Sequence, residues 1–180
     1  MTEINEKFLE LQNSISELKK GTKDQMTMVV FSGELDKLMA AMIMATGAAA
    51  MDTKVKLFFT FWGTSSLRCK DKVIKGKDFM SKMFGFMLPK GCCATKLSKM
   101  NYCGMGTRML KNLMKKKNVS SLEELFDIAG ELGVEISICE MSMDLMGFKR
   151  EEMIDYPNLN YCGVAKFLKD AHESKIQLFI

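Results

Sequence analysis

Thiol chemistry is what this sequence offers most of. The chain has 180 residues, with six cysteines and a single histidine. The cysteines are Cys69, Cys92, Cys93, Cys103, Cys139 and Cys162, and the histidine is His172. A thiolate is a nucleophile and a soft metal ligand. No CxxC pair and no Cys/His set with zinc-finger spacing is present, so no metal centre is expected. A Cys–His catalytic pair would have to use His172, and nothing local supports one. Cys139 stands out by position. It follows the apolar run Val134–Ile138 (VEISI) and precedes a short helical stretch, Glu140–Met146, closed by Gly147. Ligands bind outside the carboxyl ends of strands in open parallel sheets. Backbone N–H groups at a helix start favour an anion, hence the thiolate. Glu140 and Asp144 oppose that effect with negative charge. Burial as a structural thiol is the competing reading.

The elements that must position Cys139 alternate between strand and helix. Met26–Phe31, Lys54–Phe59, Val134–Ile138 and Ile176–Ile180 read as buried strands. Glu34–Ala50, Thr107–Lys116, Ser120–Leu132 and Gly163–Ser174 read as helices. The third has Ser120 as its expected N-cap and Glu123 at N3. Apolar residues Ile4, Phe8, Leu11, Ile15 and Leu18 place an amphipathic helix before the first strand, with Gly21 as its C-cap. The expected architecture is a three-layer α/β sandwich with a mostly parallel sheet, plus that N-terminal helix. The expected division is a helical appendage over 1–20 and an α/β domain over 21–180, with a long middle insertion at about 65–104 and a short helix at Phe79–Phe86. A loop of that length is functional or interfacial. Its apolar residues, Phe79 to Leu88, point to a homo-oligomer, because they would form a costly exposed patch in a monomer.

The other thiols are secondary candidates. Cys92-Cys93 sit in a Gly-flanked loop and could relay sulfur or hold a soft metal. Cys103 precedes Gly104-Met105-Gly106, whose backbone at a helix start could cradle an anion. Cys162, before Gly163, repeats the placement of Cys139. Strand carboxyl ends share one edge, so Ser32-Gly33, Thr60–Gly63 and Cys139 are expected to converge there under the middle loop.

Composition excludes several classes. Hydrophobic residues make up 47% and charged residues 27%, which is globular rather than disordered. A net charge of +4, without an Arg-rich stripe, gives no case for nucleic acid. Neither a P-loop nor a GxGxxG fingerprint is present, and no cofactor is expected. The apolar stretch Met39–Met51 is too short to span a membrane, and Phe79–Leu97 carries Lys82, Lys90, Lys96 and Pro89. The polar start MTEINEKFLELQNSISELKK does not read as a signal peptide, so reduced thiols in a cytoplasm are expected. The eighteen methionines are read as a Met-rich core, a Met-lined contact being the alternative.

Four segments carry a resemblance: KMFGFMLPKG (82–91), LSKMNYCGMGTRMLKNLMKKKNVSSLEEL (97–125), ICEMSMDLMGFKREEMID (138–155) and CGVAKFLKDAHESKIQLFI (162–180). With the opening MTMVVFSGELDKLMAAMIMATGAA, they resemble the DsrE/DsrF/DsrH-like superfamily, in its larger DsrE-like branch of sulfurtransferases and so-called peroxiredoxins. The string C-x-M-S-M-D-x-M-G is the most specific part. The resemblance implies a parallel-sheet α/β sandwich, a homo-oligomer, and sulfur trafficking by a cysteine persulfide. The family's sulfur-binding cysteine corresponds to Cys139. A peroxidatic Thr/Arg motif is not visible around it. The leading reading is a persulfide carrier or sulfurtransferase using Cys139, with sulfane-sulfur donor and acceptor proteins or small thiols as partners. The alternatives are an oligomeric binding module with a structural Cys139, or a small-anion or nucleotide binder.

Overall fold

The computed structural model describes residues 5, 7–14, 23–72, 83–85 and 87–180. Five strands form one all-parallel sheet: β1 (Lys23–Val30), β2 (Lys54–Phe59), β3 (Glu135–Cys139), β4 (Leu159–Cys162) and β5 (Ser174–Phe179), in the order β4-β3-β2-β1-β5. The helices that connect the strands or pack beside them are α1 (Leu35–Ala50), α2 (Met105–Lys116), α3 (Leu122–Glu131), α4 (Glu140–Met146) and α5 (Val164–His172).

Strand alternation divides the sheet's side chains between two faces. Met26, Met28 and Val30 of β1, Val55, Leu57 and Phe59 of β2, and Ile136 and Ile138 of β3 join Leu38, Met42, Leu125 and Phe126 from α1 and α3 in the main core. The opposite face is more polar. It carries Gln25, Thr27, Lys56, Ser137 and Cys139 and is covered by α5, which gives the three layers. Of the methionines of α1, Met39 and Met42 are buried in the core and Met44 is exposed.

Two details differ from the sequence expectation. The N-cap of α3 is Ser121, not Ser120: its Oγ accepts from the Glu124 N–H at 3.2 Å, and the Glu124 carboxylate accepts from the Ser121 N–H at 2.7 Å. Adjacent serines and adjacent glutamates allow two capping registers. The observed one buries Leu122, Leu125, Phe126 and Ala129. The second difference is β4, a four-residue strand with no counterpart in the sequence reading, which pairs with β3 and ends at Cys162.

The chain after β2 turns through a 3-10 helix at Phe61–Leu67, and Arg68 is then buried against Glu152 at 3.2 Å and over the Phe148 ring. Farther on, the Lys96 carbonyl accepts the Leu35 N–H at 2.8 Å, and the Ser98 N–H and hydroxyl donate to the Asp36 carboxylate, so this loop closes the start of α1. Residues 7–14 are helical and exposed. Ile4, Ile15, Leu18 and Gly21 lie outside the described residues, as does most of the expected Phe79–Phe86 helix. Among the described residues, no helix is long and apolar enough to cross a membrane.

Candidate functional site

Cys139 is the last residue of β3 and the N-cap of α4. Gly147 closes α4 in the left-handed conformation at φ 64°, a position suited to glycine. Because side chains alternate along β3, Ile136 and Ile138 enter the main core while Cys139 points to the α5 side. There it packs with Phe58, Cys162 and Phe167, and only 3% of it is exposed. The Phe58 and Phe167 rings stack at 5.0 Å between centroids.

Cys162 is the register partner of Cys139 in the β3–β4 ladder. The two thiols therefore stand side by side on one face, on strands about 4.8 Å apart. Both thiols are free. Burial pushes the Cys162 thiol up, against the opposing pull of the Ser137 hydroxyl and Lys166. Glu140, next to Cys139, is ion-paired with Arg150, which compensates the negative charge beside the thiol. The Ser142 Oγ on α4 bonds the Thr60 hydroxyl at 2.8 Å and accepts the Phe61 N–H at 3.0 Å, tying the end of β2 to the helix that Cys139 begins.

The remaining candidates lie elsewhere. Cys92 packs against the main core and is separated from Cys139 by the sheet, and Cys93 beside it is exposed. Cys103 is exposed, in the left-handed region at φ 57°. The N–H groups of Gly104 and Gly106 both donate to the Asn101 carbonyl, at 2.8 and 3.1 Å, so neither is free to hold an anion. Gly106 is required there for another reason: a Cβ would sit 1.9 Å from the Met100 carbonyl oxygen. The middle loop does cover a strand end, but it is that of β1. Leu88 and Pro89 meet Phe31, Ser32, Gly33, Trp62 and Ser65 around a cleft of about 370 Å³ whose lining does not include Cys139.

Sequence reasoning did not find the partners Phe58, Phe167 and Ser137, nor the pairing of Cys162 with Cys139. The available signal was the period-two pattern of Leu159-Asn-Tyr-Cys after Pro157-Asn158, a short strand following a turn.

A five-stranded all-parallel sheet with helices on both faces makes this an α/β protein, with a thiol at the carboxyl end of an interior strand. The chain belongs to the DsrE/DsrF/DrsH-like family, whose match covers residues 22–179. It is 49% identical over 154 residues to YrkE of Bacillus subtilis (strain 168), covering 86% of this chain and 95% of that one. It is 33% identical over 168 residues to the sulfur carrier protein DsrE2 of Allochromatium vinosum, covering 87% of this chain and 98% of the relative. Its fold is similar to that of the ychN protein of E. coli, with a TM-score of 0.49 and 10% identity, over 87% of this chain and 99% of the other.

Proposed function

We propose that this protein relays sulfur, holding sulfane sulfur on Cys139 as a persulfide. The observation that carries the reading is the in-register pair of thiols, Cys139 and Cys162, at the carboxyl end of the sheet. Membership of the DsrE-like family and the likeness to a protein named a sulfur carrier support it.

In the transfer step, the Cys139 thiolate attacks the outer sulfur of a donor persulfide. A new S–S bond forms on Cys139, the donor's S–S bond breaks, and the donor sulfur leaves as a thiolate. An acceptor thiolate repeats the step on the outer sulfur of Cys139. Cys162 is the thiol on this chain best placed to be that acceptor. The apolar cover of Phe58 and Phe167 excludes water and stray oxidants from the loaded sulfur. Loading then requires α5 to move, and α5 buries only Ala171 along its length.

The test is intact-mass spectrometry after incubation with a low-molecular-weight persulfide. The expected result is a one-sulfur mass gain that reductant removes and that peptide mapping places on Cys139. Equal loading of Cys139→Ser on another thiol would sink the assignment.

A further inference from the structure

We infer that Cys92, Cys93 and Glu123 form a binding site for a thiophilic divalent cation of the zinc class, with one coordination position open to solvent. The two sulfur atoms and a Glu123 carboxylate oxygen lie within 4.8 Å of one another. A tetrahedral ion bonded to sulfur at about 2.3 Å and to oxygen at about 2.0–2.2 Å sets donors about 3.4–3.8 Å apart. Small side-chain rotations close the difference.

The donors arrive from two separately fixed pieces of backbone. Cys92 and Cys93 start a single 3-10 turn, Cys92–Ala94. Gly91 leads into it at φ 83°, where a Cβ would sit 2.6 Å from the Arg68 carbonyl oxygen. The turn is closed by the Thr95 hydroxyl, which donates to the Cys92 carbonyl at 2.7 Å, and by Lys111, which donates to the Cys93 carbonyl at 3.0 Å. Glu123 stands in the first turn of α3, where the backbone bonds of the capping box are made by Ser121 and Glu124, and its carboxylate is held toward Cys93. Donors held by rigid elements need little reorganisation to bind.

Donor chemistry and charge select the ion. Two thiolates and a carboxylate suit zinc rather than magnesium or calcium, which prefer all-oxygen ligands. The segment from residue 92 to 121 carries seven cations (Lys96, Lys99, Arg108, Lys111, Lys115, Lys116 and Lys117) and no anion. Such surroundings repel a hard cation held by charge alone, so thiolate bonding must drive capture. Three anionic donors and a dication leave one negative charge, which Lys111 at the turn balances. Cys92 is half-buried against the core and Cys93 is exposed, so an ion has a wall on one side and a path on the other. The plain alternative is a Cys93–Glu123 hydrogen bond with no metal affinity.

Cobalt(II), the spectroscopic stand-in for zinc, distinguishes these. The full chain, reduced and freed of metal with a chelator, is titrated with cobalt and back-titrated with zinc. One tightly held cobalt per chain is expected, with a sulfur-to-cobalt charge-transfer band that zinc abolishes. Cys93→Ser, at an exposed position, and the near-isosteric Glu123→Gln should each weaken binding by more than about tenfold, the scale on which losing a supporting group already acts. Melting curves check that both variants are folded. The Cys139→Ser/Cys162→Ser double variant should bind like the parent, which separates this site from the sulfur-carrying pair. No cobalt uptake, uptake indifferent to Cys93→Ser, or uptake lost only in the double variant would each overturn the inference.

Discussion

At the scale of single residues, the sulfur relay proposed above turns on how Cys139 stands to Cys162, its register partner. Adjacent strands about 4.8 Å apart lie within the Cα range of disulfides, about 4.4–6.8 Å. A mild oxidant such as diamide should therefore join Cys139 to Cys162 in preference to any other pair. Peptide mapping that finds Cys92 or Cys93 bonded to Cys139 instead would contradict the register. Phe167 packs against this pair. Truncating it in Phe167→Ala should raise the rate at which Cys139 reacts with a thiol reagent. The stability cost should be about 2 kcal/mol, less than for a fully buried Phe because the ring is partly exposed. A thiol rate unchanged in that variant would mean the route to the sulfur does not pass Phe167. Cys139 could be singled out from sequence because strand, cysteine and helix follow one another along the chain. Its partners could not, because Phe58, Cys162 and Phe167 reach it through sheet register and helix docking. For the same reason Glu123 looked like a capping residue: its approach to Cys92 and Cys93 depends on which of two serines caps α3.

At the scale of elements, α5 and the segment after β2 are held in opposite ways. α5 is anchored largely by polar contacts. Its Asp170 carboxylate meets Lys56 of β2 and Lys166, the latter at 3.0 Å. Burial alone would raise the pKa of Asp170, but hydrogen bonds from the two lysines outweigh it and hold the group below its ordinary 3.8. The unfolded chain therefore takes up this proton at a higher pH than the folded one. The contribution of Asp170 is complete above the unfolded pKa and is lost as pH falls through the folded value. Denaturation midpoints measured between about pH 6 and about pH 2 should fall less steeply in Asp170→Asn than in the parent, with the difference confined below about pH 4. The chain after β2 is instead pinned by the buried Arg68–Glu152 pair. Arg68→Ala leaves a carboxylate buried without its cation and should cost about 3 kcal/mol, read as a lower denaturant midpoint. The double variant Arg68→Met/Glu152→Leu should recover much of it. Strands β1, β2, β3 and β5 were legible because largely apolar runs of five or six residues stand out between turns. The four residues of β4 were not: half of them are polar, and only pairing with β3 makes them a strand.

At the scale of the whole molecule, the surface is unevenly finished. β5 is an edge strand, with Ile176, Leu178 and Phe179 exposed. α2 buries no residue and leaves Met105, Met109 and Leu113 exposed in a stripe at helical spacing. We expect an open edge and an apolar stripe of this kind to be covered by a second copy of the chain. Light scattering at micromolar concentration should give a mass at least twice the 20.4 kDa of one chain. Charge substitutions at Leu178 and Phe179, or at Met105 and Met109, should separate the assembly according to which surface closes it. A stable monomer would leave both surfaces without a second copy.

Burial of Cys139 also sets a time structure for anything that reacts with it. At 3% exposure, the thiol meets a reagent only while its cover is displaced. When closing outpaces reaction, the observed rate is the opening equilibrium constant times the intrinsic rate and rises linearly with reagent. When reaction outpaces closing, the rate levels off at the opening rate itself. A plateau in stopped-flow traces would thus measure α5 directly, as a clock independent of the reagent used. A donor or acceptor that docks against α5 and holds it open would abolish that plateau. Partner contact, not thiol acidity, would then govern the flux of sulfur through the chain.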